Sequence, residues 1–224
     1  NKIKSQFEAI LLNTKLLNIE GKESQIEVIL ESQNGKEQKV FDQCLVAVGR
    51  KPNTENLGLE KTKVKLDENG FVIADSQQKT ADPCISAIGD VIGGAMLAHK
   101  ASSEAKVAVE VLAGEATEFK NKVIPAVVFT DPEIAWAGLT EIEAQNQGID
   151  VSITKFPWGA SGRAQTLGRG EGLTKLIIDP GSEKIVGVGI TGAGAGELIA
   201  EGVLAIETGT KVKNLALSIH PHPT

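Results

Sequence analysis

Short apolar stretches separated by turn-forming residues fill the first part of the chain, and none of them has helical spacing. β-Branched and aromatic residues in such short runs are typical of strands. The sequence therefore predicts a β-rich segment with strands at Phe7–Leu12, Lys15–Ile19, Gln25–Leu30 and Val40–Val48. The pair Asn34-Gly35 predicts a tight hairpin turn between the last two of these strands.

The end of the fourth predicted strand, Cys44–Val48, is continuously apolar and is followed by Gly49. A continuous apolar run is expected of a strand that is buried on both faces of a sheet. A buried strand that ends in glycine often marks the place where an α/β sheet meets a ligand. Gly49 is therefore a candidate ligand-contacting residue.

The central part of the chain combines short extended segments with one helix. An Asn-Gly pair between short apolar stretches predicts a small hairpin at 64–72, and the sequence 80–90 predicts a short strand that ends in Gly-Asp. Apolar residues then recur at spacings of three and four, which predicts a helix over 97–113 that stops at Gly114.

The last hundred residues follow a polar stretch, 115–122, which the sequence suggests as a domain boundary. Thr140 and Glu143 have the spacing of a capping box and predict a helix that Gly148 closes. The remaining pattern predicts strands at 124–130, 134–138, 151–156, 173–179 and 184–190 and a helix over 195–207. The last hundred residues are therefore predicted to be α+β, and the apolar strand that ends at Gly49 favours an α/β class for the first part.

Composition narrows the possible functions. The 224 residues are 41% hydrophobic and carry a formal charge of −6 without a long basic run, which argues against nucleic acid as the main partner. No run of about 18 apolar residues is present, so the sequence predicts no membrane span. Cys44 and Cys84 lack metal-ligand spacing, and we expect buried thiols of a reducing cytoplasm and no metal site.

Two segments could bind a ligand near the start of the predicted helix. Asp90 follows a predicted strand and a glycine, which suits a carboxylate that accepts hydrogen bonds from sugar or polyol hydroxyls, although a turn or helix-cap aspartate would look the same. Met96-Leu97-Ala98-His99 would offer free backbone N–H groups to an electron-rich ligand. Met96 and Leu97 could instead be core residues.

Two further segments are candidates for a phosphate-binding loop and for a general base. The run Gly192–Gly196 suggests a phosphate loop, but it lacks the sequence of the known glycine motifs, and close packing of small residues across a subunit interface explains it as well. The tail holds His220 and His222, and a histidine is the first candidate for a general base near neutral pH. An exposed tail, a chance metal pair and a structural role for His220 remain alternatives.

These segments, taken in order, resemble the two-dinucleotide-binding flavoprotein disulfide reductases, and among them most closely the dihydrolipoamide dehydrogenases. The resemblance covers essentially the whole chain. It rests on 48–53, Thr80–Asp90, Met96–Lys100, 127–141 and the tail His-Pro-His-Pro-Thr, which is close to the His-Ala-His-Pro-Thr usual in that family. The dispersed match is specific, whereas any one motif is not.

The resemblance implies an architecture and cofactors. The chain would be the C-terminal part of such a flavoprotein, with NAD-domain strands at 1–50, an FAD-binding and central region at 51–121 and a dimerisation domain at 122–224. FAD and NAD would be the cofactors. The protein would be a cytoplasmic homodimer that works with lipoyl domains of 2-oxoacid dehydrogenase complexes or of the glycine cleavage system.

The resemblance also implies roles for single residues. Asp90 would hold the ribityl chain of FAD, Met96 to His99 would set the helix N-terminus against the flavin ring, and Gly49 would lie near NAD. His222, which directly precedes Pro-Thr, would be the base that takes a proton from a dihydrolipoyl thiol as it attacks an active-site disulfide of the partner subunit. Electrons would then pass through FAD to NAD+.

Several motifs of the family have no counterpart in these 224 residues, which limits the functional interpretation. The redox cysteine pair and both glycine motifs of the family would precede residue 1, the carboxylate that orients the base would follow Thr224, and Cys44 and Cys84 match neither redox cysteine. We therefore expect a fragment that is inactive alone. A glutathione-reductase-like NADPH-dependent reductase and a non-catalytic dimerising fragment are the alternatives.

Overall fold

The computed structural model describes residues 2–120 and 123–224, and the chain divides into two compact units between Arg50 and Lys51. The predicted boundary between 121 and 122 lies outside the described residues. The strands are β1 (Lys15–Lys22), β2 (Gln25–Ser32), β3 (Gly35–Phe41), β4 (Ala126–Val128), β5 (Glu133–Gly138), β6 (Ser152–Pro157), β7 (Leu173–Ile178) and β8 (Ile185–Gly192). The α-helices are α1 (Ala98–Leu112), α2 (Glu141–Gln147), α3 (Gly162–Thr166), α4 (Ala195–Glu207) and α5 (Val212–Leu217).

The first unit is an antiparallel meander in the order β1-β2-β3. The predicted Asn-Gly turn is confirmed: Ser32 pairs with Gly35, and Gly35 has a φ of +107°, a conformation that glycine adopts without steric cost. The strand predictions at 15–19 and 25–30 are also confirmed, and both strands extend beyond the predicted ends.

Two strand predictions in this unit are wrong. Phe7–Leu12 forms no strand, and only the first two residues of the predicted strand Val40–Val48 lie in a strand, at the end of β3, so that Cys44–Val48 has no regular structure. Leu45 and Val48 are 92% and 87% exposed, and Cys44 is exposed as well, contrary to the predicted burial. The physical reason is that a strand needs a neighbouring backbone, and no strand among the described residues pairs with this segment.

The segment before α1 also differs from its prediction. The predicted strand before Gly-Asp is wrong, since the single bridge Lys79↔Ser86 is all that forms there. Polar side chains divert this backbone into a turn: the Thr80 hydroxyl accepts from the N–H of Asp82, and the Asp82 carboxylate accepts from the N–H of Cys84. Cys84 is exposed rather than buried. The predicted hairpin at 64–72 is reduced to one bridge, Leu66↔Val72.

The second unit contains a five-stranded antiparallel sheet in the order β4-β5-β8-β7-β6. α4 covers one face, where Ala135 and Ala137 of β5 are almost fully buried. Small residues let the helix approach closely, because a Cβ at Gly202 of α4 would lie 2.9 Å from Val188 of β8. The core cluster on this face comprises Val123, Ala135, Ala137, Ile185, Val188, Ile190, Ala195, Ile199, Ala205 and Ile206.

The helix predictions in the second unit are confirmed. α1 and α4 lie where the apolar spacing places them, and Gly114 follows α1 with a φ of +93°. α2 begins with the predicted capping box, in which Thr140 accepts from the N–H of Glu143 and the Glu143 carboxylate accepts from the N–H of Thr140. Gly148 closes α2 in the left-handed conformation. The short helices α3 and α5 were not predicted.

The described ranges, 2–120 and 123–224, lack two features. No helix in them is long and apolar enough to cross a membrane. No group of three or more His, Cys, Asp or Glu side chains in them could hold a metal ion.

Candidate flavin half-site and histidine tail

Asp90 lies in a tight 3-10 turn, Gly89–Ile92, that packs against α1. Gly89 is buried with a φ of +76°, and a Cβ there would lie 3.2 Å from the Cβ of Ala101 on the helix. A larger residue would therefore be strained by the backbone conformation and would crowd Ala101 on α1. Asp90 itself is exposed, so its carboxylate can reach a ligand in solvent.

The N-terminus of α1 follows this turn directly and has no side-chain cap. Leu97 is the N-cap residue in an extended conformation, and the first turn contains no acidic residue. Its backbone N–H groups and the positive end of the helix dipole are therefore not neutralised by a carboxylate of this turn. Ala98 and His99 are exposed, whereas Met96 and Leu97 are half-buried.

His99 connects this helix end to the chain before β4. Its Nε2 atom lies 2.7 Å from the carbonyl oxygen of Pro125. A carbonyl oxygen can only accept, so Nε2 is the donor in this contact. His99 thus fixes the first turn of α1, and its side chain is engaged with protein.

Sequence reasoning missed a buried ion pair on α1. Glu104 is 2% exposed and Lys100 is 8% exposed, and Lys100 Nζ lies 2.6 Å from Glu104 Oε1. The other carboxylate oxygen accepts from the N–H of Gly89 at 2.8 Å, and Lys100 Nζ donates to the carbonyl of Gly93 at 3.1 Å. A Lys and a Glu four residues apart usually indicate a solvated pair, so only the apolar residues around them could have signalled burial.

These groups fit one kind of ligand. An exposed carboxylate suits hydroxyl donors, and an uncapped helix N-terminus suits an electron-rich or anionic group. The sequence prediction placed Asp90 and Met96–His99 at one site, and the structure brings them together on a turn and the helix end next to it. A ligand that carries both hydroxyl groups and an electron-rich or anionic group would satisfy both features.

Gly49, the sixth predicted cofactor-binding residue, belongs to the first unit. It has a φ of +115° and is exposed, and a Cβ built on it would meet nothing within 4 Å. Glycine is therefore required here by the backbone conformation and not by a close neighbour.

The two histidines of the tail differ in their contacts. His220 Nε2 lies 2.6 Å from Glu201 Oε1 on α4, and His220 Nδ1 lies 2.8 Å from the carbonyl oxygen of Ser218. These contacts, above all the one to Glu201, raise the pKa of His220 above its usual value. His222 is exposed, and no residue that the structure describes makes a hydrogen bond or ion pair with it. Glu201 is thus paired with His220 and not with His222.

The glycine-rich connection to α4 is poorly suited to phosphate. The N–H of Gly196 donates to the carboxylate of Glu133 at 2.8 Å, so a negative charge already lies at this helix end. Gly192 lies against Trp158, whose ring would be 2.1 Å from an added Cβ. Packing within the chain therefore explains Gly192, and a Cβ at Gly196 would likewise lie 3.2 Å from Val127.

A cavity of about 660 Å³ lies beside the tail, away from Asp90. Its walls combine Trp158, Arg163 and Leu167 with the N-terminus of α4 and with Pro223 and Thr224. None of the predicted cofactor-binding residues contributes to it.

Comparison with known protein families matches nearly the whole chain. A model described as pyridine nucleotide-disulphide oxidoreductase matches residues 9–105. A model described as the dimerisation domain of pyridine nucleotide-disulphide oxidoreductases matches residues 124–224.

Individual relatives agree with these matches. A dihydrolipoyl dehydrogenase of Buchnera aphidicola from Schizaphis graminum is 48% identical over 224 residues, which cover 99% of this chain and 47% of the relative. One of Thermus scotoductus is 49% identical over 213 residues, covering 94% and 46%. The HOCl-induced flavoprotein disulfide reductase RclA of Escherichia coli matches in structure with a TM-score of 0.85 at 27% identity, covering 96% of this chain and 49% of RclA. The chain spans about half the length of the curated relatives it matches.

Proposed function

Since this chain belongs to the pyridine nucleotide-disulphide oxidoreductase family, we propose that it is part of a dihydrolipoamide dehydrogenase. In this proposal the full-length protein oxidises protein-bound dihydrolipoamide to lipoamide and reduces NAD+ to NADH. Two thiols become one disulfide, and two electrons and one proton leave on NADH while the second proton enters solvent. The identities of 48% and 49% to dihydrolipoyl dehydrogenases support this choice of substrate.

One observation carries the proposal: the Asp90 turn lies against the uncapped N-terminus of α1. We assign to it half of an FAD site, in which Asp90 accepts hydrogen bonds from ribityl hydroxyls and the backbone of Met96–His99 faces the electron-rich edge of the flavin ring. FAD, when bound, supplies the two-electron carrier between thiol and nicotinamide. The protein groups orient it and complement its charge.

His222 is the proposed base. Thiolate is the nucleophile in disulfide exchange, so a group that removes the thiol proton accelerates the attack. His222 is exposed, as a side chain must be to reach an incoming thiol, and it follows two residues after His220, which is bound to α4. In the proposed reaction the imidazole of His222 receives the proton and returns it to solvent.

The remaining assignments follow from the family. We propose a cytoplasmic homodimer formed through residues 122–224, with lipoyl domains of 2-oxoacid dehydrogenase complexes or of the glycine cleavage system as partners. Gly49 is proposed to lie near NAD. The 224-residue chain alone is proposed to be inactive, since Cys44 and Cys84 are the only cysteines in it and neither matches a redox cysteine of the family.

The test uses the full-length protein that carries this sequence. Purified protein should contain flavin and should form NADH from dihydrolipoamide and NAD+. The variant His222→Gln should lose about 10²- to 10⁴-fold in turnover, as expected when a general base is removed, and should keep the flavin spectrum. Loss of flavin together with activity would point to a structural role for His222, and wild-type turnover would refute the proposed base.

A second candidate function has one supporting observation. RclA, a flavoprotein disulfide reductase in name, shares the fold at 27% identity. We therefore propose as the alternative a reductase that uses NADPH and a different disulfide, as glutathione-reductase-like proteins do. Faster reduction of glutathione disulfide by NADPH than oxidation of dihydrolipoamide by NAD+ would favour it.

A further inference from the structure

The buried pair Lys100–Glu104 holds both ends of the turn that carries Asp90. Glu104 accepts from the N–H of Gly89 at the start of the turn, and Lys100 donates to the carbonyl of Gly93 just after it. The 2.6 Å contact between the two side chains joins these bonds into one network on consecutive turns of α1. The turn is thus attached to the helix at two points.

Stability alone is a poor explanation for this pair. Removing two charges from water carries a large desolvation cost, and apolar residues of similar volume often stabilise a protein as well or better. Both side chains are nevertheless nearly inaccessible, at 8% and 2% exposure. Each of them also makes one hydrogen bond to the backbone of the turn. This arrangement fixes a position, which an apolar pair would not do.

The turn requires such support because of its glycines. Gly89, Gly93 and Gly94 all have positive φ, from +69° to +76°. Glycine loses more conformational freedom on folding than any other residue, so a segment with three of them is ordered only where other groups hold it. Bonds to Gly89 and Gly93 supply this order on either side of Asp90.

We propose that Lys100 and Glu104 are positioning residues for the cofactor, which set the Asp90 carboxylate relative to the N-terminus of α1. This inference rests on the proposed flavin site. The ligand must meet the carboxylate and the helix end simultaneously, so a shift of the turn along α1 weakens one contact whenever it preserves the other. Lys100 and Glu104 act through the turn and do not themselves contact the cofactor.

The experiment measures flavin release from the full-length holoenzyme, through the rise in fluorescence of free FAD after dilution. Glu104→Gln should release flavin at least about tenfold faster, the factor expected when one buried hydrogen bond is left unmade. The matched control is the pair Lys106–Glu110, which has the same spacing on the same helix but a separation of 3.9 Å and an exposed lysine. Lys106→Met/Glu110→Gln should release flavin at the wild-type rate.

A second variant separates positioning from stability. Lys100→Met/Glu104→Leu removes both charges at similar volume, so the desolvation cost that is saved offsets the two backbone hydrogen bonds that are lost, and the protein should unfold near the wild-type temperature. It should still release flavin about tenfold faster, because the backbone groups of Gly89 and Gly93 have lost their partners. This variant also tests the positioning role if Glu104→Gln does not fold.

The outcomes are distinct. Flavin release at the wild-type rate from the apolar double variant would overturn the positioning role and leave the proposed function intact. A folded full-length wild-type protein that binds no flavin would overturn the proposed function and this inference with it. Faster release from the exposed control pair as well would show that the effect is not specific to the turn, and would also overturn the inference.

Discussion

The imidazole of His220 links α4 to the backbone just before the histidine itself. Its Nε2 lies 2.6 Å from Glu201 Oε1, and its Nδ1 lies 2.8 Å from the carbonyl oxygen of Ser218. Carboxylate and carbonyl oxygens both accept, so the form that satisfies both contacts is the imidazolium with two donating nitrogens. The pKa of His220 is raised, chiefly by the hydrogen bond to Glu201. The protonated side chain thereby attaches the tail that carries His222 to the helix.

We expect Glu201→Gln to lower the pKa of His220, because the amide does not stabilise the imidazolium as a carboxylate does. An NMR titration of the imidazole Cε1–H resonance measures this directly. Glu197→Gln is the matched control, since Glu197 lies one turn earlier on the same helix and makes no ion pair with His220. An equal effect of both substitutions would show that general charge, and not this contact, raises the pKa.

The pH dependence has a definite sign. A folded-state pKa raised above the unfolded value means that the contact stabilises the fold fully below the unfolded pKa of about 6.5. The contribution is lost as the pH rises through the higher folded pKa of His220. Hydrogen exchange at 218–224 should therefore quicken with rising pH beyond the intrinsic rate, and in Glu201→Gln this extra increase should be absent.

Two glycines on one face of β8 should respond oppositely to substitution by alanine. A Cβ at Gly187 would lie 2.0 Å from the carbonyl oxygen of Leu139, a backbone atom that cannot move aside, whereas a Cβ at Gly189 meets nothing within 4 Å. Gly187→Ala should lower the free energy of unfolding by about 1–3 kcal/mol. Gly189→Ala should be neutral or stabilising by up to about 1 kcal/mol.

Thermal unfolding of the two variants measures the contrast. A change of 1 kcal/mol corresponds to roughly 2–4 °C for a protein of this size. Equal losses at both sites would mean that the face at Gly189 is covered by something other than the residues described.

Local signals explain which elements the sequence predicted correctly. α4 lies where its apolar periodicity placed it. α2 begins directly after its N-cap residue, Thr140, because a capping box satisfies N–H groups within the same four residues. The run Cys44–Val48 has an equally clear apolar pattern, but a strand depends on a neighbouring backbone that no local pattern can supply. Its prediction failed for that reason.

In the candidate site, too, features formed by residues adjacent in sequence were predictable, whereas contacts between distant residues were not. Asp90 and the start of α1 were predictable because a glycine-aspartate pair and a helix start are adjacent in sequence. The role of Glu104 was not, since its bond to the N–H of Gly89 depends on how the turn folds back onto the helix. Likewise, the contact of Glu201 with His220 joins residues that are far apart in sequence.

Removal of the cap on α2 should cost a predictable amount. Thr140→Ala eliminates the hydroxyl that accepts from the N–H of Glu143, and we expect a loss of about 1 kcal/mol in the free energy of unfolding. Thr140→Ser is the control and should retain most of the stability, because serine caps equally well. A Thr140→Ala protein as stable as the serine variant would show that this cap contributes nothing.

The same variant tests a pH dependence at the acid end. Hydrogen bonds from Thr140 lower the pKa of Glu143. A lowered folded-state pKa stabilises the fold above the unfolded value of about 4.3, and the contribution disappears as the pH falls through the folded pKa. The difference in stability between wild type and Thr140→Ala should therefore be larger at pH 7 than at pH 3, as urea denaturation at the two pH values would show.

The exposed run Cys44–Val48 gives the last prediction. Its apolar pattern predicts burial, whereas Leu45 and Val48 are almost fully exposed. This chain spans only 47% of the length of the related dihydrolipoyl dehydrogenase of Buchnera aphidicola. If additional strands of a full-length protein pair with this run, its amides gain hydrogen-bond partners and its side chains leave water. Hydrogen exchange of the amides at 44–48 should then be fast in the 224-residue chain and at least about a hundredfold slower in the full-length protein, corresponding to about 2.7 kcal/mol of protection.

The amides of β2, paired on both sides here, are the internal control and should be protected in both proteins. Fast exchange at 44–48 in both would refute a buried strand at this position.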